Sequence, residues 1–204
     1  MKKASVLLAI IIVSCFTQVM VRFPSVAGDL SPHSPILIDG DGNFTVGNGV
    51  TSGNGTSTNP YVIENWDINA STADGIVIRN TTAHFVMRNV SLHSGSPGHK
   101  GLFIMNVTNG TIHNVTAVYN FIGMSIYLST NVTISSSHIN NNTLGMRMNW
   151  SDNSTISGTE FRNNTWLSLS LINSSHNDIV SSIFSGNGSG ISLILSHNNR
   201  IDGN

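Results

Sequence analysis

Charge is scarce in this chain. Only 9% of its 204 residues are Asp, Glu, Lys or Arg, and the formal net charge is −1. With no basic stripe to neutralise phosphates, nucleic acid is not an expected partner. Cysteine is nearly absent. The single Cys15 lies in the N-terminal leader, so the rest of the chain has neither a disulfide framework nor a cysteine metal site. Beyond the leader no segment carries a convincing 3.6-residue hydrophobic period, which argues against helices. An exported domain of this kind needs some other source of cohesion.

Small polar residues are plentiful: 26 Asn, 29 Ser and 17 Thr. Such a bias often accompanies disorder, but here the 39% of apolar residues recur periodically, which argues for burial. The segments opening at Gly101, Gly123, Gly145, Ser168 and Gly190 share one skeleton at spacings of 22, 22, 23 and 22 residues, and a related segment opens at Gly75. A period of this length marks a solenoid. Apolar anchors recur at Ile63, Met87, Ile112, Ile134, Ile156, Ile179 and Ile201. Two residues after them stand turn formers, Asn65, Asn89, Asn114, Ser136, Gly158, Ser181 and Gly203. Five residues after them come Ile68, Leu92, Ala117, Ile139, Phe161 and Phe184.

A second strand in each repeat alternates with period two. Its inward set is Ile76/Ile78, Leu102/Ile104, Met124/Ile126, Met146/Met148, Leu169/Leu171 and Ile191/Leu193, with Ser125, Arg147, Ser170 and Ser192 facing out. Leucine-rich repeats have a similar period but place Leu differently. Short strands joined by Asn/Gly turns, with no helical half, predict an all-β, single-stranded parallel β-helix of six to seven coils, each of 22–26 residues. Coils stacked about 4.8 Å apart bring like residues into columns. Asn109, Asn131, Asn153, His176 and Asn198 form one column, and Asn120, Asn142, Asn164 and Asn187 another. Both read as amide ladders, with a sugar-binding stripe as the alternative.

The chain divides into residues 1–27, 28–60 and 61–204. The first is a leader with Lys2 and Lys3, an apolar run and Ser25-Val26-Ala27 before Gly28, the pattern of a cleaved signal peptide. Retention as an anchor, or lipidation at Cys15, are the alternatives, and all three export the rest. Membrane contact is expected only through an uncleaved leader. Residues 28–60 form an N-terminal cap and loop, in which Pro35–Ile38 is a capping strand and 47–59 an exposed loop. Asp39-Gly-Asp-Gly-Asn43 reads as a turn; as a calcium loop it has Phe44 where Gly is needed and Val50 where Glu is needed. Residues 61–204 are the repeats, expected to be truncated at the C-terminus because no cap follows the last anchor.

The repeat G-[IML]-x-[ILM]…N-x-T-I-x-N/S resembles the right-handed β-helix repeats of NosD-like and pectate-lyase-like proteins. The opening His33-Ser-Pro-Ile-Leu-Ile-Asp-Gly and Asn59-Pro-Tyr-Val-Ile-Glu-Asn-Trp resemble the entry of archaeal secreted NosD-like surface proteins. The resemblance covers roughly residues 31–204. It implies a right-handed solenoid and a role in carbohydrate binding or cleavage at the cell surface, or in periplasmic copper handling.

The repeats lack the Asp-Asp pair expected of a glycosidase and the aspartate cluster of a calcium-dependent lyase. The nearest catalytic constellation is His138, Glu160 and Arg162, which the period places together; a surface ion cluster is the plainer reading. Soft-metal chemistry would draw on Met and His. Met124, Met146 and Met148 read instead as core, and His84, His93, His99 and His113 have no spacing that forces them together, so no metal site and no cofactor are expected. The insertion Ser94–Lys100 carries His99 and Lys100, the best candidates for a binding loop. Tyr127, Arg147 and Trp150 vary between otherwise similar rungs and complete the candidate binding set. Fifteen Asn-x-Ser/Thr sequons occur; glycans on every rung would collide, and Asn54, Asn69, Asn131, Asn153 and Asn187 stand for the usable subset. The expectation is a secreted or cell-surface β-helix glycoprotein, non-catalytic, that contacts carbohydrate or envelope partners. The alternatives are a polysaccharide lyase or hydrolase whose site lies outside this chain, and a NosD-like copper accessory protein.

Overall fold

The computed structural model describes residues 30–204. The expected leader, including Cys15, lies outside the described residues. The chain winds into a parallel β-helix. Each coil lends one strand to a seven-stranded sheet: Ile36–Asp39, Ile76–Thr81, Lys100–Val107, Ile122–Tyr127, Leu144–Asn149, Leu167–Ile172 and Ile191–Ile194. It lends two arms to a 13-stranded sheet, such as Thr133–Ser135 and His138–Asn140. Pairing from coil to coil is parallel, and equivalent residues are in register: Leu102, Met124, Met146 and Leu169 form one row.

The interior follows from period-two alternation. The inward set from Ile76 to Leu171 is completely buried, as are the anchors from Ile63 to Ile179. The last described coil differs. Leu193 is 44% exposed and Ile201 43%, because the preceding coil covers only one side of them.

The corners explain the abundance of Asn. A closed coil must reverse direction several times, and left-handed backbone does this in a single residue. Among the described residues twenty non-glycine residues have positive φ, and twelve of them are Asn. Asn tolerates this region better than most residues because its side chain bonds locally. The turn formers two residues after each anchor all fall here, from Asn65 to Gly203. So does the column Asn109, Asn131, Asn153, His176 and Asn198, in which Asn131 Nδ2 donates to Asn109 Oδ1 at 2.7 Å.

The second Asn column lies inside. Asn120, Asn142 and Asn164 are buried. Asn142 Oδ1 accepts from the backbone N–H of Asn120 at 2.9 Å, while its Nδ2 donates to Ala117 O at 2.9 Å and Asn164 Oδ1 at 3.1 Å. Backbone groups at this corner leave the sheet ladder, and the amide side chains satisfy them. The ladder also accounts for Gly101, Gly123 and Gly145 among the residues that open the repeats. A Cβ on Gly123 would meet Gly145 O at 2.6 Å and Asn142 Nδ2 at 2.9 Å.

At the N-terminal end, Ile36–Asp39 pairs in parallel with Ile76–Thr81. The segment expected to be an exposed loop, 47–59, contains a short antiparallel strand, Val50–Ser52, and Val50 is buried beside the first coil. The Asp39-Gly-Asp-Gly-Asn43 turn is tied to the solenoid rather than free for calcium. Asp39 accepts from Asn80 Nδ2 at 2.7 Å and Arg79 at 2.8 Å, and Asp41 bonds Thr81.

Two outcomes are expected. Asn142→Ala strips partners from buried backbone groups and should lower unfolding free energy by about 2–4 kcal/mol. Thr133→Ala, on an exposed strand position, should change it by no more than about 0.5 kcal/mol; urea titration measures both. The hydrogen bonds from Asn80 and then Arg79 hold the Asp39 carboxyl below its ordinary 3.8. Its stabilisation is therefore complete above that value and is lost as pH falls through the lowered folded-state pKa. Asp39→Asn should flatten the acid limb of a stability–pH profile measured from pH ~6 to ~2.

Candidate ligand groove

Outward positions of the seven-stranded sheet line up in register rows. One runs Leu37, Val77, Phe103, Ser125, Arg147, Ser170 and Ser192. The next includes Met105, Tyr127, Asn149, Ile172 and Ile194. Ser125 and Ser170 face outward yet are only 6% exposed, each lying in register beside Arg147.

On this face the last three coils form a groove of about 410 Å³. Leu144, Leu167, Ile172 and Ile194 supply apolar walls, Ser170 and Ser192 hydroxyls, and Arg147 a guanidinium; Trp166 lines it as well. A volume of this order suits a small ligand.

Trp166 was not among the expected site residues. It is 60% exposed. It exists because one coil is a residue longer. Asn120 to Gly123 and Asn142 to Gly145 are three residues apart, but Asn164 to Ser168 are four. The solenoid absorbs the extra residue at the corner, where Thr165 and Trp166 N–H groups donate to Asn142 and Thr143 carbonyls at 2.9 Å. The single 23-residue spacing among the 22s was the available signal.

The expected binding residues fall into two groups. Tyr127 and Trp150 meet edge to face, with ring centroids 5.4 Å apart, where the strands end; neither lines the groove, whereas Arg147, on the strand that leads to Trp150, does. Trp150 is 47% exposed at φ 47°. Its corner column is Asn80, Asn106, Leu128, Trp150, Asn173 and Leu195, all left-handed. Bulky residues replace Asn there at a conformational cost. His99 and Lys100 lie instead against Asp74. Lys100 Nζ is 3.1 Å from Asp74 Oδ2 and 4.8 Å from the Phe103 ring centre, and His99 Nδ1 is 3.8 Å from Asp74 Oδ1. The cation of that loop is thus already paired.

His138, Glu160 and Arg162 come together as the period implies. His138 Nδ1 lies 2.9 Å from Glu160 Oε2, and Arg162 Nε contacts Oε1. Both carboxylate oxygens are occupied, and His138 and Arg162 are exposed. The sequons at Asn54, Asn69, Asn131 and Asn153 are exposed. Asn187 is half-buried. Its Nδ2 donates to Phe161 O and its Oδ1 accepts from Asn164, both at 2.9 Å, so a glycan there would compete with the ladder.

The fold and groove define a parallel β-helix with a ligand-sized cleft on one sheet. Residues 34–204 match the model of NosD, periplasmic copper-binding protein. The chain belongs to the NosD family. No curated protein matches it. Solved structures share the fold at low identity. The periplasmic alginate epimerase AlgG (D317A mutant) superposes with a TM-score of 0.59 at 16% identity, covering 69% of this chain and 38% of its own. The A-module of mannuronan C-5 epimerase AlgE6 from Azotobacter vinelandii gives 0.54 at 20%, covering 70% and 50%. The enzymatically active domain of tailspike protein 2 from bacteriophage CBA120 gives 0.59 at 16%, covering 79% and 25%. The chain thus spans half or less of the length of each.

The donor set does not fit the copper named for the family. Met87, Met124, Met146 and Met148 are sealed in the core, out of reach of an ion, and Met105, half-buried on the outward face, has Arg79 and Tyr127 as its neighbours in register rather than a second soft donor. Among the described residues no group of three or more His, Cys, Asp or Glu could hold a metal.

Leu128, at φ 48° and half exposed, sits between Asn106 and Trp150 in its corner column. Leu128→Asn should raise unfolding free energy by about 1 kcal/mol by relieving the left-handed penalty; thermal and urea unfolding measure it.

Proposed function

We propose that this protein works outside the cytoplasm as a non-catalytic binder of carbohydrate, using the groove on its seven-stranded sheet. The observation that carries the reading is the pairing of apolar walls and an exposed indole, Trp166, with the Ser170 and Ser192 hydroxyls and the Arg147 guanidinium. Sugar rings present an apolar C–H face and polar hydroxyls at their edges. An exposed indole suits the face, and fixed polar groups on a rigid sheet suit the edges. No Asp or Glu lines the groove, so the carboxylate pair that glycoside hydrolysis requires is missing there. A location outside the cytoplasm is supported by the periplasmic description of the family and by the periplasmic setting of AlgG.

Titration with a panel of defined oligosaccharides, followed by tryptophan fluorescence and calorimetry, tests the reading. At least one should bind at millimolar affinity or better without being cleaved. Trp166→Ala should weaken binding about fivefold while leaving the unfolding midpoint unchanged, since loss of one stacking contact is worth ~1 kcal/mol. Binding unaffected by Trp166→Ala, or release of new reducing or unsaturated ends, would count against it.

A further inference from the structure

The described residues contain six Lys or Arg side chains, and five have carboxylate partners. Arg79 pairs with Asp39, Arg88 with Glu64, Lys100 with Asp74, Arg162 with Glu160 and Arg200 with Asp202. Arg147 is the exception among the described residues. It forms none of these ion pairs; its Nε, like that of the paired Arg79, is buried without a hydrogen-bond partner. Two residues along the same strand face, Asn149 Oδ1 is also buried and unpartnered. The chain that spends its few cations on neutralised pairs leaves one uncompensated, and that one lines the groove. An unpaired donor partly withdrawn from water is costly unless something completes it.

Resting on the reading of the groove as a saccharide site, we infer that its ligand is an acidic saccharide whose ring carboxylate is received by Arg147. The chemistry is specific. A guanidinium presents a planar fork that matches a carboxylate through two parallel hydrogen bonds. The groove lining contains no acidic residue to compete for the fork or repel the ligand. Leu144 and Leu167 lie in the coils at and after Arg147, so the fork acts against an apolar wall where a charge-assisted bond is less screened than in open water. The hydroxyls of Ser170 and Ser192 follow Arg147 in register on the next two coils, about 4.8 Å per step. They can bond the ring hydroxyls of the unit whose carboxylate Arg147 holds. Trp166 lines the same groove and provides the stacking surface.

The test uses one backbone with its charge switched on and off: short homogalacturonan oligosaccharides as free acid and as full methyl ester, titrated by calorimetry. Wild-type protein should prefer the free acid about tenfold or more, and the preference should shrink from low salt to ~0.5 M NaCl. In Arg147→Gln the ratio of the two dissociation constants should fall to about one. Arg147→Lys keeps the charge without the fork and should retain an intermediate ratio; it also serves if Arg147→Gln folds poorly by circular dichroism. Equal wild-type binding of acid and ester overturns the inference while leaving the saccharide reading intact. Full acid preference in Arg147→Gln overturns it too. Failure to bind either form, or any saccharide in the panel, removes the saccharide reading and this inference with it.

Discussion

Every coil of this protein is held by the coil beneath it through parallel, in-register backbone pairing. Because the strands are parallel and the register does not slip, each residue faces its counterpart one turn away. An apolar residue becomes part of an apolar row, and a turn residue part of a corner. Asn142 shows how far the constraint reaches. It satisfies Asn120 of the coil before, is satisfied by Asn164 of the coil after, and also donates to the carbonyl of Ala117 in the coil before. The same ladder leaves no room for a side chain at Gly123 and Gly145, where an added Cβ would strike both an Asn amide and the next coil, while Ser168 takes the equivalent place in the longer coil. Composition, repeat motif and packing are thus consequences of a single geometry.

A scaffold this repetitive can carry information only where it departs from repetition. The departures cluster on one face. A lengthened coil puts Trp166 at the rim of a groove, Trp150 occupies a left-handed corner where Asn is the cheaper choice, and Arg147 stands between Ser125 and Ser170 in its outward row. Strained or uncompensated groups persist where something other than stability maintains them. By contrast, His138, Glu160 and Arg162 satisfy one another on an open surface, as do Lys100 and Asp74. Ion pairs of that kind complete a surface and ask for no ligand.

Membership of the NosD family and the likeness to alginate epimerases and a phage tailspike bear on the scaffold more than on chemistry. At 14–20% identity those structures share a way of winding the chain. The copper in the family's description finds no group of three or more His, Cys, Asp or Glu among the described residues, and four of their five thioethers are inside the core. Function on such a fold belongs to the outward side chains, which identity at this level does not preserve.

The 22-residue period, the inward apolar pairs and the corners two residues past each anchor were legible in the sequence. Each is a local pattern repeated many times, and repetition turns a weak signal into a firm one. The adjacency of His138 and Glu160 followed from the same arithmetic. Other features needed the tertiary structure. Asn109 and Asn142 look alike in sequence, yet one column turns the backbone at the surface and the other is a buried ladder. Trp166 was hidden because a single added residue reads as noise until the corner that absorbs it is seen. Arg147 stood out as a variable position, but that it alone among the described cations lacks a carboxylate depends on contacts between coils. Local periodicity determines how a chain winds; which side chains are left unsatisfied is settled only when distant turns are brought side by side.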